Sequence, residues 1–193
     1  MSGEIHLEQD GAVARVTLAN AGKLNAMSRA MWRRLRAVFM AIQADAGVRC
    51  VIVHGQGGTF CSGGDIAEYT AFRFEVASLR AFHEQDVWGG LQAMLDCDVP
   101  MVAAIEGHCM GAGMEIASCC DIRVAGVGAR FGAPIAKLGF PMAPREAALV
   151  ARVAGEATAR EMLLQAAVLD AAEMKARGFL HGVLPAAELL AHA

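Results

Sequence analysis

The chain has no run of the roughly 18 apolar residues that a membrane helix requires. Its longest apolar stretches are interrupted by charge or glycine. The first ten residues, Met-Ser-Gly-Glu-Ile-His-Leu-Glu-Gln-Asp, hold no apolar segment of the kind a secretion leader needs. No membrane partner is expected, and the expected location is the cytoplasm. Excess charge of either sign is also missing: the formal net charge is −3 over 193 residues. Lys and Arg form no basic stripe, so no nucleic-acid partner is expected. Their one concentration, Arg29, Arg33, Arg34 and Arg36, reads as a solvated helix face. The six cysteines include no C-x-x-C pair, and no metal site is expected. They read as reduced, mostly buried small hydrophobes. Phosphate-cradling motifs are absent too. There is no Gly-x-x-x-x-Gly-Lys-Ser/Thr, and Gly107–Gly113 does not spell Gly-x-Gly-x-x-Gly. Ser62 lacks the Gly-x-Ser-x-Gly context of a nucleophile elbow. No repeat, low-complexity segment or linker divides the sequence.

What remains is an apolar chain, 55% hydrophobic and 19% charged, long enough to bury a substantial core. It reads as one domain over 1–193, with a core to about 143 and a helical tail from about 144. Strands are expected at 4–8 and 11–18, with Asp10-Gly11 as the hairpin signal. In the second strand Val13, Arg15 and Thr17 alternate with Ala14, Val16 and Leu18. Ser28 reads as the N-cap of a helix to about Ala44, whose Trp32, Leu35, Val38, Phe39 and Ile42 recur at helical spacing. Cys50–His54, Met101–Ile105 and Ile122–Ala125 are buried-strand runs, and a second helix is expected over roughly 74–96. After Pro144 the pattern is helical, broken at Gly155 and Gly178, with Val183 and Leu184 as one further short strand. Strands alternating with helices make an α/β fold.

Two glycine-rich turns stand out. Phe60-Cys61-Ser62-Gly63-Gly64-Asp65-Ile66 follows one buried strand, and Gly107-His108-Cys109-Met110-Gly111-Ala112-Gly113-Met114-Glu115 follows another. Each leads into a helix start, where backbone N–H groups are free and the dipole favours negative charge. Asp65 is positioned to cap the first helix, and Ile116–Cys120 continues the second. Two N–H groups converging on one oxygen would form an oxyanion hole.

These segments, taken together, resemble the crotonase (enoyl-CoA hydratase/isomerase) family over almost the whole chain. Leu24-Asn25-Ala26-Met27 is similar to the family's acyl-CoA loop, and the two glycine turns are similar to its oxyanion turns. Cys120–Ala125, Arg130-Phe131-Gly132-Ala133-Pro134 and Ala176-Arg177-Gly178-Phe179 fit as well. The resemblance implies a stack of ββα units and a homotrimer or pair of trimers. It implies an acyl-CoA thioester substrate, and coenzyme A enters only as part of that substrate, with no separate cofactor. The N–H groups of Gly64 and Ala112 become the oxyanion donors. Leu24, Ala26, Ser62, Asp65, Ile66, Pro134 and Ile135 become the substrate-binding set. Ala112 stands where the family usually has glycine.

Glu115 follows Ala112 by three residues, which brings both to one helix face. The resemblance makes it the first catalytic glutamate of the hydratases. Their second glutamate follows the proline of the Gly132-Ala133-Pro134 turn, and here that residue is Ile135. Lys137 and Glu146 are expected at the surface, as those residue types generally are. His108 and Cys109 read as a loop histidine and a packed thiol. Set against the resemblance, the family's C-terminal helical segment is expected to be shortened or absent here. The expected activity is a lyase adding water to trans-2-enoyl-CoA. Alternatives are an isomerase or thioester hydrolase using Glu115 alone, or an acyl-CoA-binding protein without turnover.

Overall fold

Residues 3–193 are described by a computed structural model of the chain. The hairpin forms where Asp10-Gly11 predicts it: β1 (Glu4–Asp10) and β2 (Val13–Ala19) pair antiparallel from Asp10↔Val13 to Glu4↔Ala19. Gly11 takes φ +59°, a left-handed conformation that costs glycine little for want of a Cβ. Along β2, Ala14, Val16 and Leu18 are buried while Arg15 is exposed, the period-two alternation of a strand with one covered face.

Helix α1 (Arg29–Ala44) begins at Ser28, whose Oγ accepts a hydrogen bond from the Met31 N–H at 3.2 Å. Its buried stripe is Met31, Trp32, Leu35, Val38, Phe39 and Ile42. The four arginines do not share one solvated face. Arg33, Arg34 and Arg36 are exposed, but Arg29 is half-buried, and it and Arg33 both reach the buried Asp86 carboxylate, at 2.7 and 2.6 Å. An acid from another element recruits them, which local sequence spacing does not reveal.

The main sheet continues in parallel through β3 (Cys50–Gly55), β4 (Met101–Ile105), β6 (Ile122–Gly126) and β9 (Gly182–Leu184), in the order β1-β2-β3-β4-β6-β9. Val51, Ile52 and Val53 are all buried, as expected for a parallel strand covered on both faces. Between β3 and β4 the expected helix over 74–96 is divided. It consists of α3 (Val76–Ala81), a π-helical turn at Phe82–Val87 and α4 (Trp88–Leu95), preceded by the short α2 (Ile66–Tyr69). The wider turn buries Phe82, Asp86 and Val87 together.

A second, three-stranded sheet has no counterpart in the sequence reading. It joins β5 (His108–Met110), β7 (Arg130–Gly132) and β8 (Val168–Asp170), with β7 in the centre. Three-residue strands are too short to show a period. Helix α5 (Ala112–Cys119) starts four residues earlier than the apolar run Ile116–Cys120 suggests. The segment after Pro144 supplies α6 (Pro144–Ala154), α7 (Glu156–Leu164), α8 (Ala171–Ala176) and the terminal α9 (Leu189–His192). It also supplies β8 and β9, so it is more than a helical tail: it completes an edge of each sheet. Trp32, Phe39, Phe60, Phe82, Phe131 and Phe179 are fully buried in one continuous core. Among the described residues, no helix is long and apolar enough to cross a membrane.

Candidate active site

The two glycine turns are bonded to each other. The Cys61 N–H donates to the His108 carbonyl, and the Met110 N–H donates to the Cys61 carbonyl, both at 2.8 Å. Gly63 and Asp65 are tied to Met27 on the other side: the Met27 N–H donates to Gly63 at 2.8 Å, and the Asp65 N–H to Met27 at 2.9 Å. Gly64 is thereby held between two anchored neighbours. A Cβ at Gly113 would stand 2.8 Å from the Cys61 carbonyl oxygen, so glycine is what lets α5 approach the first turn. Gly111, at φ +48°, makes the sharp entry to α5, and Ala112 is its first residue. Among the described residues, neither the Gly64 N–H nor the Ala112 N–H donates to a protein group. Two backbone donors are therefore free at one wall.

That wall belongs to a cavity of about 190 Å³. Of the residues expected from the sequence, Gly64, Ala112, Glu115, Ser62, Ile66, Pro134 and Ile135 line it. Leu24, Ala26 and Asp65 do not. Leu24 is exposed at φ +47°, and its carbonyl accepts the Ser62 N–H at 3.0 Å. Ala26 is buried in the same loop. Asp65 holds the N-cap position of α2 but makes no side-chain cap; its carboxylate is bound by the Lys23 Nζ at 2.5 Å instead. A full cation outcompetes the N–H dipoles of a four-residue helix. These three residues shape the loop beside the cavity rather than its wall.

Among the described residues, Ser62 has no histidine partner; its hydroxyl donates to the Lys23 carbonyl at 3.0 Å. Cys109 is a packed thiol, and burial raises its pKa well above the ordinary range. His108 is exposed, and it lies on β5 rather than in a loop. Lys137 is exposed and outside the cavity.

Glu115 sits in the first turn of α5 and is only 8% exposed. Burial, and then the negative charge of Glu146, push its pKa up to about 8. At neutral pH its carboxyl mostly keeps a proton.

Glu146 corrects the sequence reading most directly. The expectation was a surface residue, yet Glu146 is 3% exposed and lines the same cavity as Glu115. Its Oε1 lies 3.5 Å from the Nδ1 of His83, which also lines the cavity. Helix α6 packs against α5, and this turns its first residues inward. Nothing in the local sequence marks that docking, because Pro144-Arg145-Glu146 has the composition of any exposed helix start. Tyr69, from α2, completes the polar groups here; burial and then Glu115 raise its pKa. The arrangement therefore combines two free N–H donors with two carboxyl groups on one cavity.

The sequence profile of the enoyl-CoA hydratase/isomerase family matches residues 8–193. A protein of Mycobacterium tuberculosis named as a probable enoyl-CoA hydratase is 31% identical over 189 residues, which cover 98% of this chain and 72% of the relative. A protein of the same description from Rhizobium meliloti is 31% identical over 187 residues, covering 97% of this chain and 71% of its own length. A crystal structure from Magnetospirillum magneticum, described as an enoyl-CoA hydratase/carnithine racemase, superposes with a TM-score of 0.93 at 37% identity, over 97% of this chain and 70% of that one. The fold and one profile that spans nearly the whole sequence thus agree, and the chain belongs to the enoyl-CoA hydratase/isomerase family, the crotonases.

Proposed function

We propose that the chain is a lyase that adds water to trans-2-enoyl-CoA. The observation that carries this reading is the pair of unpartnered N–H groups, Gly64 and Ala112, opening on the cavity that Glu115 lines. The thioester oxygen would take both hydrogen bonds. As water adds at the β-carbon, electrons move toward that oxygen, and donors fixed beforehand stabilise the enolate without reorganising. Ala112 serves as well as glycine because the donor is backbone. Coenzyme A travels as part of the substrate, and no further cofactor is invoked. Assembly as a homotrimer or pair of trimers belongs to the same proposal, and light scattering tests it.

The test is purified protein with crotonyl-CoA, followed by loss of the enoyl absorbance. Glu115→Gln is expected to lower kcat about 10²–10⁴-fold, the usual contribution of an acid–base group. No absorbance loss at any protein concentration would sink the hydratase reading, and full activity in Glu115→Gln would sink the role of Glu115.

Ile135 favours a second reading. With an aliphatic side chain where the hydratases carry a glutamate, Glu115 alone would shift a double bond, or assist thioester hydrolysis as a general base, through the fraction of the protein in which it is ionised. Products from 3-enoyl-CoA, and release of free CoA, separate these reactions.

A further inference from the structure

A carboxyl group that holds its own proton cannot also take one from water. Glu115 is in that condition near neutral pH, because it is buried beside a second negative charge. Hydration needs two proton transfers: one from the attacking water and one to the α-carbon. Ile135, on the cavity wall, has no proton to exchange.

We propose that Glu146 is the second proton-transfer group, acting from the first turn of α6 on the water that attacks the β-carbon. This deepens the hydratase reading and rests on it. Three observations support it. Glu146 is 3% exposed, yet it lines the same cavity as Gly64, Ala112 and Glu115. Its Oε1 and the His83 Nδ1 are buried 3.5 Å apart without a hydrogen bond between them, and neither has another hydrogen-bond partner among the described residues. A buried carboxylate oxygen without a hydrogen bond is costly unless something satisfies it, and a water or substrate atom in the cavity would do so. The groups facing it are His83 from the π turn, Glu115 from α5 and Tyr69 from α2.

In the proposed step the Glu146 carboxylate takes a proton from water, and the water oxygen bonds to the β-carbon. The π electrons of the double bond move into the enolate that Gly64 and Ala112 hold. Collapse of the enolate draws the Glu115 proton onto the α-carbon. Glu146 ends protonated and Glu115 ionised, and transfer of that proton to Glu115, directly or through solvent, restores the starting state.

Glu146 is also the third residue of α6, where a negative charge favours the helix dipole. A purely structural acid would affect stability and leave kcat alone. The experiment therefore measures crotonyl-CoA hydration and butyryl-CoA binding in the same variants. Glu146→Gln keeps the shape and removes a buried charge, so it is expected to fold. Its kcat should fall at least ~10²-fold, within the range for an acid–base group, while butyryl-CoA affinity changes by less than about threefold and Glu146→Asp recovers part of the rate. Hydration by Glu146→Gln within about threefold of wild type, with Glu115→Gln inactive, overturns this proposal and leaves the hydratase reading standing. No hydration by the wild-type protein overturns both.

Discussion

At the scale of single residues, environment decides what each carboxyl group does. Glu115 and Glu146 are the same side chain and both are buried; burial of Glu115 in the first turn of α5, and then the charge of Glu146, raise its pKa to about 8. The sign is fixed by that direction. Below about pH 8 Glu115 carries the proton that the proposed hydration requires at the α-carbon, and above it the proton is gone. The alkaline limb of kcat/KM is therefore expected near pH 8, read from initial rates across a buffer series, and to vanish in Glu115→Gln. The same shift acts on stability. A folded pKa above the ordinary carboxyl value contributes stability fully present at acid pH and lost as pH rises through about 8. Glu115→Gln should gain on wild type in urea unfolding at alkaline pH. Of the two acids proposed to act here, the sequence pointed to Glu115, through its local spacing from Ala112 and the family resemblance together. It did not identify Glu146, because burial of a helix start depends on what the helix docks against.

At the scale of elements, the π turn Phe82–Val87 is the piece that ties the helices to one another. It buries Asp86 against Arg29 and Arg33 of α1, while Arg29 also stacks at 5.1 Å over the Phe72 ring. Removing a buried acid leaves its cations without a partner. Full burial would cost about 3–5 kcal/mol, but Arg29 and Arg33 keep 33% and 63% of their side-chain exposure, so solvent screens part of it. Asp86→Ala is expected to lose about 2 kcal/mol in denaturant unfolding. His83 lies in the same turn, so hydration activity in this variant should fall further than stability accounts for. A helix over 74–96 was legible from apolar recurrence. Its π turn was not, since the partners it packs against, Arg29 and Arg33 of α1, are distant in the chain.

At the scale of the whole molecule, the chain returns on itself. β8 and β9 follow Pro144 in sequence, yet β8 pairs with β7 and β9 with β6. Glu146 reaches the cavity by the same return. A chain ending at Ala143 would lose both edge strands and the buried Leu149, Val150, Met162, Met174 and Phe179. Such a truncation is expected to lose cooperative thermal unfolding by circular dichroism, whereas residues 1–193 should unfold in one transition that coincides by circular dichroism and fluorescence. A truncated chain that unfolds cooperatively would overturn this view of the segment.

Local physics was sufficient for much of this protein. The Asp10-Gly11 turn, the Ser28 cap, the α1 stripe and the buried strands follow from dihedral preference, hydrogen-bond satisfaction and periodicity, all of which act within a few residues. The two glycine turns belong to that class, since glycine's dihedral freedom and, at Ala112, the free N–H of a helix start are local properties. Tertiary structure alone decided the rest. It brought the two turns onto one cavity, moved Asp65 from cap to salt bridge, and left Leu24 and Ala26 off the wall. It also set Glu146 beside His83 and Glu115. Each of these depends on a partner distant in the chain, and burial, pairing and proton affinity are properties of the partner as much as of the residue.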